Sequence, residues 1–294
     1  MSEITPQLLA LQLVSGIGLG AIYALLAIGL SLIFGMLTVV NFAHGAFFMV
    51  GAFLGVYFQS LTGSFFLSLV VTPLVVGVIG LLSERFLVRP LYGRGIDYPL
   101  LLTFGLSYVL IEAMRVMFGI EGVPSSTPSA LRGAVNLGFG HFPLYRLALI
   151  GATAAVVVAL WLFIEKTRYG LIIRAGSRDP EIVRVLGIDV SKVWLMVFGI
   201  GTAIAGLSGV LAAPTRAVNP EMGISVLAES FVVTVVGGMG SLPGAVVAGL
   251  LVGVVFSLTS LLAPPLAELS IFVLMALVLL VRPQGLFGKA GFMS

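Results

Sequence analysis

The stretch "ITPQLLALQLVSGIGLGAIYALLAIGLSLIFGMLTVVNFAHGAFFMVGAFLGVYFQSLTGSFFLSLVVTPLVVGVIGLLS" (Ile4–Ser83) contains no Asp, Glu, Lys or Arg. A helix crosses the hydrocarbon core of a bilayer with about 20 residues, so the run holds roughly three spans. Breaks fall where polar and turn residues gather, at Asn41–Gly45 and at Gln59–Ser64. They divide the run into spans near 9–34, 44–59 and 65–83. The rest of the chain follows the same pattern: 59% of its 294 residues are apolar and 9% are charged. A soluble domain carries roughly 25% charged residues. With so few, a globule of this size could not cover itself with polar groups. Mean hydropathy is +1.19. The expected fold is an all-α, polytopic membrane helical bundle, a single transmembrane domain over residues 1–294, and soluble enzyme folds are excluded.

Further spans are expected at 99–118, 147–164, 193–213 and about 266–281. The uncharged run Ser230–Ala267 is too long for one helix and is cut by "GGMGSLPG" at Gly237–Gly244. The total is eight or nine spans, some broken, depending on whether 228–262 crosses twice or re-enters. The first residues, MSEITPQ, lack a basic n-region, so a cleaved signal peptide is not expected.

Basic residues set the orientation. Arg85, Arg89 and Arg94 follow the third span. Lys166, Arg168, Arg174, Arg178, Arg184 and Lys192 follow the fifth, and Arg282 and Lys289 follow the last. The positive-inside rule makes these regions cytoplasmic. The amino terminus is then outside and the carboxyl terminus inside, which favours two crossings within 228–262.

Absences narrow the chemistry. The chain has no G-x-x-x-x-G-K-[ST] phosphate loop, no H-E-x-x-H and no G-x-S-x-G elbow. There is no cysteine, and the only histidines are His44 and His141. No catalytic residue, resident cofactor or metal site is expected, and the net charge of +3 reads as loop bias, not nucleic-acid binding. Glycines four apart (Gly16/Gly20, Gly51/Gly55, Gly249/Gly253) fit close helix packing in lipid. The breaks at Asn41–Gly45 and Gly237–Gly244 fit either interfacial turns or non-helical backbone lining a transport path. Glu112 and Arg115 share a helix face, and snorkelling to the outer interface explains them better than a substrate site. Glu229 and Glu268 read the same way, and His44 reads as a structural hydrogen-bonding residue before a proton relay.

The longest charged stretch is Glu165–Lys192. Asp179 can cap a short helix, with Pro180 at its first position and Gly187 just past its end. Residues 180–186 make about two turns. Ile182, Val185 and Leu186 share one face, and Glu181 and Arg184 point elsewhere. Such a helix lies on the bilayer or docks into a partner's groove.

Taken together, these segments resemble the permease subunit of branched-chain amino acid ABC importers, the smaller of the two permease types. The likeness rests on "GLGAIYALLAIGLSLIFGMLTVVNFAHGAFFMVGAF" (Gly18–Phe53), "ERFLVRPLYGRG" (Glu84–Gly95), "TRYGLIIRAGSRDPEIVRVLGIDVSKV" (Thr167–Val193), "NPEMG" (Asn219–Gly223), "VVGGMGSLPGAVVAGLLVG" (Val235–Gly253) and "LVRPQGLFG" (Leu280–Gly288). It covers nearly the whole chain, and the segment 120–143 matches poorly. The resemblance implies a transport subunit that is not itself an enzyme. Its implied partners are a second related permease, two ATPase subunits carrying ATP and Mg, and a periplasmic substrate-binding protein. It implies alternating-access import of branched-chain amino acids, with related permeases serving urea and short amides. Within the cytoplasmic coupling loop 165–192 it marks residues 178–188 as the ATPase-coupling element, through Arg178, Asp179, Pro180, Glu181, Ile182, Val185, Leu186 and Gly187. It does not mark substrate contacts; Asn41, His44, Gly237, Gly238 and Gly240 are the candidates for the pathway. An ion-coupled carrier would show buried mid-span carboxylates, and only Glu112 comes close. A channel, an intramembrane enzyme and a structural subunit are the other classes.

Overall fold

The structure is a computed structural model that describes residues 5–37, 39–95 and 97–288. The opening Met1–Ile4 and Lys289, part of the third basic group, lie outside the described residues. Eleven α-helices follow one another: α1 (Pro6–Leu37), α2 (His44–Thr62), α3 (Phe65–Ser83), α4 (Asp97–Phe118), α5 (Leu144–Lys166), α6 (Arg168–Gly176), α7 (Pro180–Val185), α8 (Val190–Ala212), α9 (Met222–Gly237), α10 (Leu242–Leu262) and α11 (Ala267–Val281). A two-stranded hairpin, β1 (Ala134–Asn136) with β2 (His141–Pro143), lies in the segment before α5. Among the described residues, eight helices are long and apolar enough to cross a membrane. Helix ends fall within a few residues of the hydropathy breaks, because a helix in lipid can stop only where its free carbonyls find water or a cap. Thus α2 ends at Gly63, whose left-handed backbone (φ 68°) lets its N–H donate to Gln59 O. Ser64 then caps α3 by accepting from Leu67 N at 3.3 Å.

Residues 228–262 resolve into the end of α9 and all of α10, joined at Gly238–Ser241. The α9 helix has 16 residues, and at 1.5 Å each it is about 24 Å long, short of a ~30 Å core. The helix is held at its end by the chain's own last segment. Leu286 N donates to Val236 O at 2.8 Å and Phe287 N to Gly237 O at 3.0 Å. Gly238 needs to be glycine twice over. Its φ is 97°, and a Cβ there would run into the backbone of Gly288. The motifs Val235–Gly253 and Leu280–Gly288, far apart in sequence, therefore form one corner.

The core is built around α1, every residue of which is buried from Gly20 to Ile33. The glycine pairs expected to pack do so: Gly16 and Gly20 lie against Gly249, Leu250, Gly253 and Val254 of α10, and Gly51 of α2 lies against Gly206 of α8. Outward rows on α3 (Val70, Leu74, Val78) and α4 (Leu101, Val109, Val116) are exposed. Such uncovered apolar helix faces belong in lipid.

The Asn41–Gly45 break is deeper than an interfacial turn. Residues 39–43 double back, and α2 begins beside the middle of α1. His44 Nε2 donates to Leu26 O at 3.0 Å. Leu26 precedes the end of α1 by eleven residues, or about 16 Å of helix.

Candidate functional site

The three basic segments meet at one end of the bundle. There a cavity of about 1180 Å³ opens between the end of α1, the turn after α3, the α5–α6 junction and the α9–α10 corner. Its wall includes Tyr92, Arg178, Trp194, Gly240 and Phe287. At the opposite end a smaller hollow of about 300 Å³ is lined by Gln12, Ser15, Arg146, Arg216 and Ser257. The buried stretch of α1 lies between the levels of the two.

The loop at the basic end is assembled by local caps. Thr167 accepts from Gly170 N at 3.0 Å and opens α6. Arg174 on α6 pairs with Glu165 at 2.6 Å, tying the helix back to the end of α5. Asp179 Oδ1 accepts from Glu181 N and Ile182 N, both at 3.0 Å, and Pro180 takes the first position of α7. Gly187 follows with φ 80°. The cap–Pro–Gly grammar read from sequence is present, with α7 one residue shorter than the 180–186 expected. Its packing is the informative part. Only Val183 is buried, at 2% exposure, whereas Ile182, Val185 and Leu186 stand at 60%, 87% and 71%. These apolar side chains sit in a segment flanked by charges, at the end of the bundle where charges collect.

Of the residues singled out in the sequence, Arg178, Pro180 and Gly240 border the cavity. Gly237 and Gly238 are buried behind it, under the carboxy-terminal segment. Asn41 and His44 do not line it. Both are fully buried at the corner between α1 and α2, where Asn41 Oδ1 accepts from Ala43 N at 3.0 Å. Glu181 is exposed beside the apolar face of α7.

Two charge clusters were not foreseen. Glu84 has no exposed side-chain surface and sits in a widened π-turn, Glu84–Val88, that continues α3. Arg89 grips it with two bonds, Nε to Oε1 at 3.2 Å and Nη2 to Oε2 at 2.8 Å, and also donates to Ser191 O at 3.0 Å. The Tyr92 hydroxyl donates to Glu84 Oε1 at 3.1 Å. Burial, with the Glu84 charge beside it, pushes the Tyr92 phenol well above its usual range. Removing one partner of such a buried pair costs about 3–5 kcal/mol, because the other charge stays behind without compensation. Glu84 and Arg89 are five apart, a spacing that shares no face of a regular α-helix, so only the wide turn brings them together.

The second cluster lies at the other end. Arg216 Nη2 donates to Glu229 Oε2 at 3.1 Å and to the Tyr23 hydroxyl at 3.3 Å, binding the α8–α9 linker to α9 and α1. Glu229, expected near an outer end, is therefore an ion-pair partner of Arg216 at that end of the bundle. Arg115 likewise pairs with Glu221 of the linker as well as with Glu112, so it is held by partners and does not merely snorkel.

Comparison with known proteins bears on all of this. The sequence pattern of the family described as "Branched-chain amino acid transport system / permease component" matches residues 12–282. The high-affinity branched-chain amino acid transport system permease protein BraD of Pseudomonas aeruginosa is 32% identical over 95% of both chains. LivH of Escherichia coli, a permease of the same description, is 31% identical over 95% of both. LivM of Escherichia coli is 28% identical over 90% of this chain and 67% of its own length. Among solved structures, PsaBC from Streptococcus pneumoniae in complex with Fab aligns over 91% of this chain and 89% of its own, with TM-score 0.50 and 13% identity. At that identity it bears on the fold alone.

Proposed function

The chain belongs to the branched-chain amino acid transport permease family, and from that membership we propose that it is one permease subunit of an ATP-driven importer that carries branched-chain amino acids into the cytoplasm. The basic end faces the cytoplasm of a bacterial inner membrane, the amino terminus faces outward and the carboxyl terminus inward. ATP and Mg are handled by two ATPase subunits. A second permease of related fold completes the path, and a periplasmic binding protein delivers the substrate.

One observation carries this reading. The α7 helix is anchored through Val183 and capped by Asp179, and it presents Ile182, Val185 and Leu186 uncovered at the charged end of the bundle. Apolar side chains held outside lipid and outside the core fit a partner's groove. The neighbouring cavity opens on the same side as the docking face. The middle of α1 is buried in the bundle, and alternating access driven from α7 moves the helices around it. In this scheme Arg178–Gly187 is the coupling element. Gly240 borders the inner exit, Gly237 and Gly238 back it, and Asn41 with His44 hold the corner that must stay rigid while the rest moves.

The test is a tagged pull-down from native membranes in mild detergent, with wild type and Ile182→Asp compared by mass spectrometry. The expected result is two ATPase subunits and a second permease with wild type. With Ile182→Asp the second permease remains and the ATPase subunits are lost. A chain that elutes alone contradicts the proposal, as does an Ile182→Asp protein that keeps its ATPase and its transport.

A further inference from the structure

We propose that Glu84, Arg89, Tyr92 and Trp194 form a rigid linkage that carries the push of a docked ATPase from α7 into the ends of α3 and α8, and that they are positioning residues for transport. The inference rests on the permease reading above and adds to it the route by which a surface helix moves the bundle.

The α7 helix has six residues and one buried side chain, Val183, so a force on its exposed face must be passed on at once. Besides its junction with α6, where Asp179 N donates to Ala175 O, two routes lead from it toward α8. The first is the covalent one through Gly187–Asp189, an exposed or half-exposed joint whose glycine has φ 80°. A joint of this kind bends, and transmits little. The second runs through side chains. The Arg184 guanidinium lies 5.7 Å over the Trp194 ring. Trp194 meets Tyr92 edge to face, with ring centres 4.8 Å apart. The Tyr92 hydroxyl donates to Glu84 at 3.1 Å. Arg89 then closes the circuit by holding both Glu84 and the Ser191 carbonyl in the first turn of α8.

The links beyond Trp194 have a fixed shape, while the exposed Arg184 reaches that ring through its guanidinium. A guanidinium that meets a carboxylate with two bonds has one orientation, and edge-to-face rings resist sliding. The linkage joins the wide turn after α3, the start of α8, and α7, and α3 and α8 also pack directly on one another. Its two aromatic members also stand in the wall of the 1180 Å³ cavity. A displacement of Arg184 therefore moves the cavity wall and shifts the packed α3–α8 pair, and both of those helices pack on α2. A static staple would have no reason to pass through the cavity wall or to end on the docking helix.

The experiment uses the whole complex in proteoliposomes, with ATP hydrolysis and amino acid uptake measured separately. The variants are Arg89→Gln, Arg89→Lys and Tyr92→Phe, the last of which keeps the ring contact with Trp194 and deletes only the hydroxyl. The expected result is that the ATPase subunits stay bound and hydrolysis holds within about twofold. Uptake per ATP falls about tenfold in Arg89→Gln and about threefold in Tyr92→Phe, and Arg89→Lys recovers part of the loss, as graded removal of charge-assisted bonds requires. The inference is overturned if uptake and hydrolysis fall in parallel. It is also overturned if uptake per ATP is unchanged, or if Tyr92→Phe fails to assemble. Wild type and Ile182→Asp run alongside. If wild type captures no ATPase the permease reading fails and takes this inference with it. If wild type transports and all three linkage variants stay coupled, the linkage alone is wrong.

Discussion

The corner at Asn41–Ala43 and the loop at Thr167–Lys192 both interrupt apolar sequence, yet they are built in opposite ways. The corner is uncharged and set deep in the bundle. Asn41 Oδ1 accepts from Ala43 N and His44 Nε2 donates to Leu26 O, and a Cβ on Gly45 would strike Gly223 and Leu227. The loop is charged and capped by its own side chains, and it leaves Ile182, Val185 and Leu186 uncovered. Backbone that leaves the helix at membrane depth must be satisfied by the protein itself. Backbone beyond the membrane has water for that purpose, so its apolar residues are free for another use. The comparison separates a part packed on every side from a part whose apolar side chains are left uncovered.

Four substitutions break or sharpen the contrast. The largest effect belongs to the corner. Gly45→Leu forces a side chain into the backbone of α9, which costs roughly 3 kcal/mol or more where nothing can yield. The expected outcome is loss of the monodisperse peak in detergent size-exclusion chromatography, and a normal peak would mean that the corner is loose. Next comes the docking face. Ile182→Asp should leave that peak intact and reduce ATPase capture at least tenfold, about 1.4 kcal/mol. Unfolding of this variant would place Ile182 in the core, against its exposure. Asn41→Ala comes third. It leaves a buried N–H without its acceptor, a loss of about 1–3 kcal/mol, read as a melting temperature lower by several degrees with ATPase capture unchanged. The smallest is Asp179→Ala, which removes the α7 cap at about 1 kcal/mol. Faster hydrogen exchange at Glu181 and Ile182 should reveal it, with the melting temperature almost unmoved.

Much of the frame was legible before the structure because lipid enforces it. Helix ends at Ser64 and Thr62 follow from hydropathy and turn residues, and the Asp179–Pro180–Gly187 helix follows from capping chemistry that acts within one turn. The coming together of the three basic segments was legible for the same reason, through the bias of Lys and Arg between spans. What escaped depends on distance through space. The Glu84–Arg89 pair needs a π-turn that no periodicity announces. Arg216 and Glu229 are separated by the α8–α9 linker, and nothing local ties one to the other. The Asn41 corner is tied to α1 by the bond from His44 to Leu26 O, and Val236–Gly237 is joined to Leu286–Phe287 by two more. The pathway candidates divided along this line. Gly240 lies at the cavity because a turn between two spans must reach an end of the bundle, whereas Asn41 and His44 were drawn inside it by contacts the sequence does not display.

The most direct measurement of the central claim uses the absence of cysteine from the chain. A single cysteine in place of Leu186 is treated with a short bifunctional cross-linker in native membranes, and the adduct is identified by mass spectrometry. A covalent adduct with an ATPase subunit, diminished when Ile182→Asp is added, is the expected result. Adducts only with lipid, or with another copy of this chain, would contradict the docking of α7 and with it the coupling of this bundle to ATP.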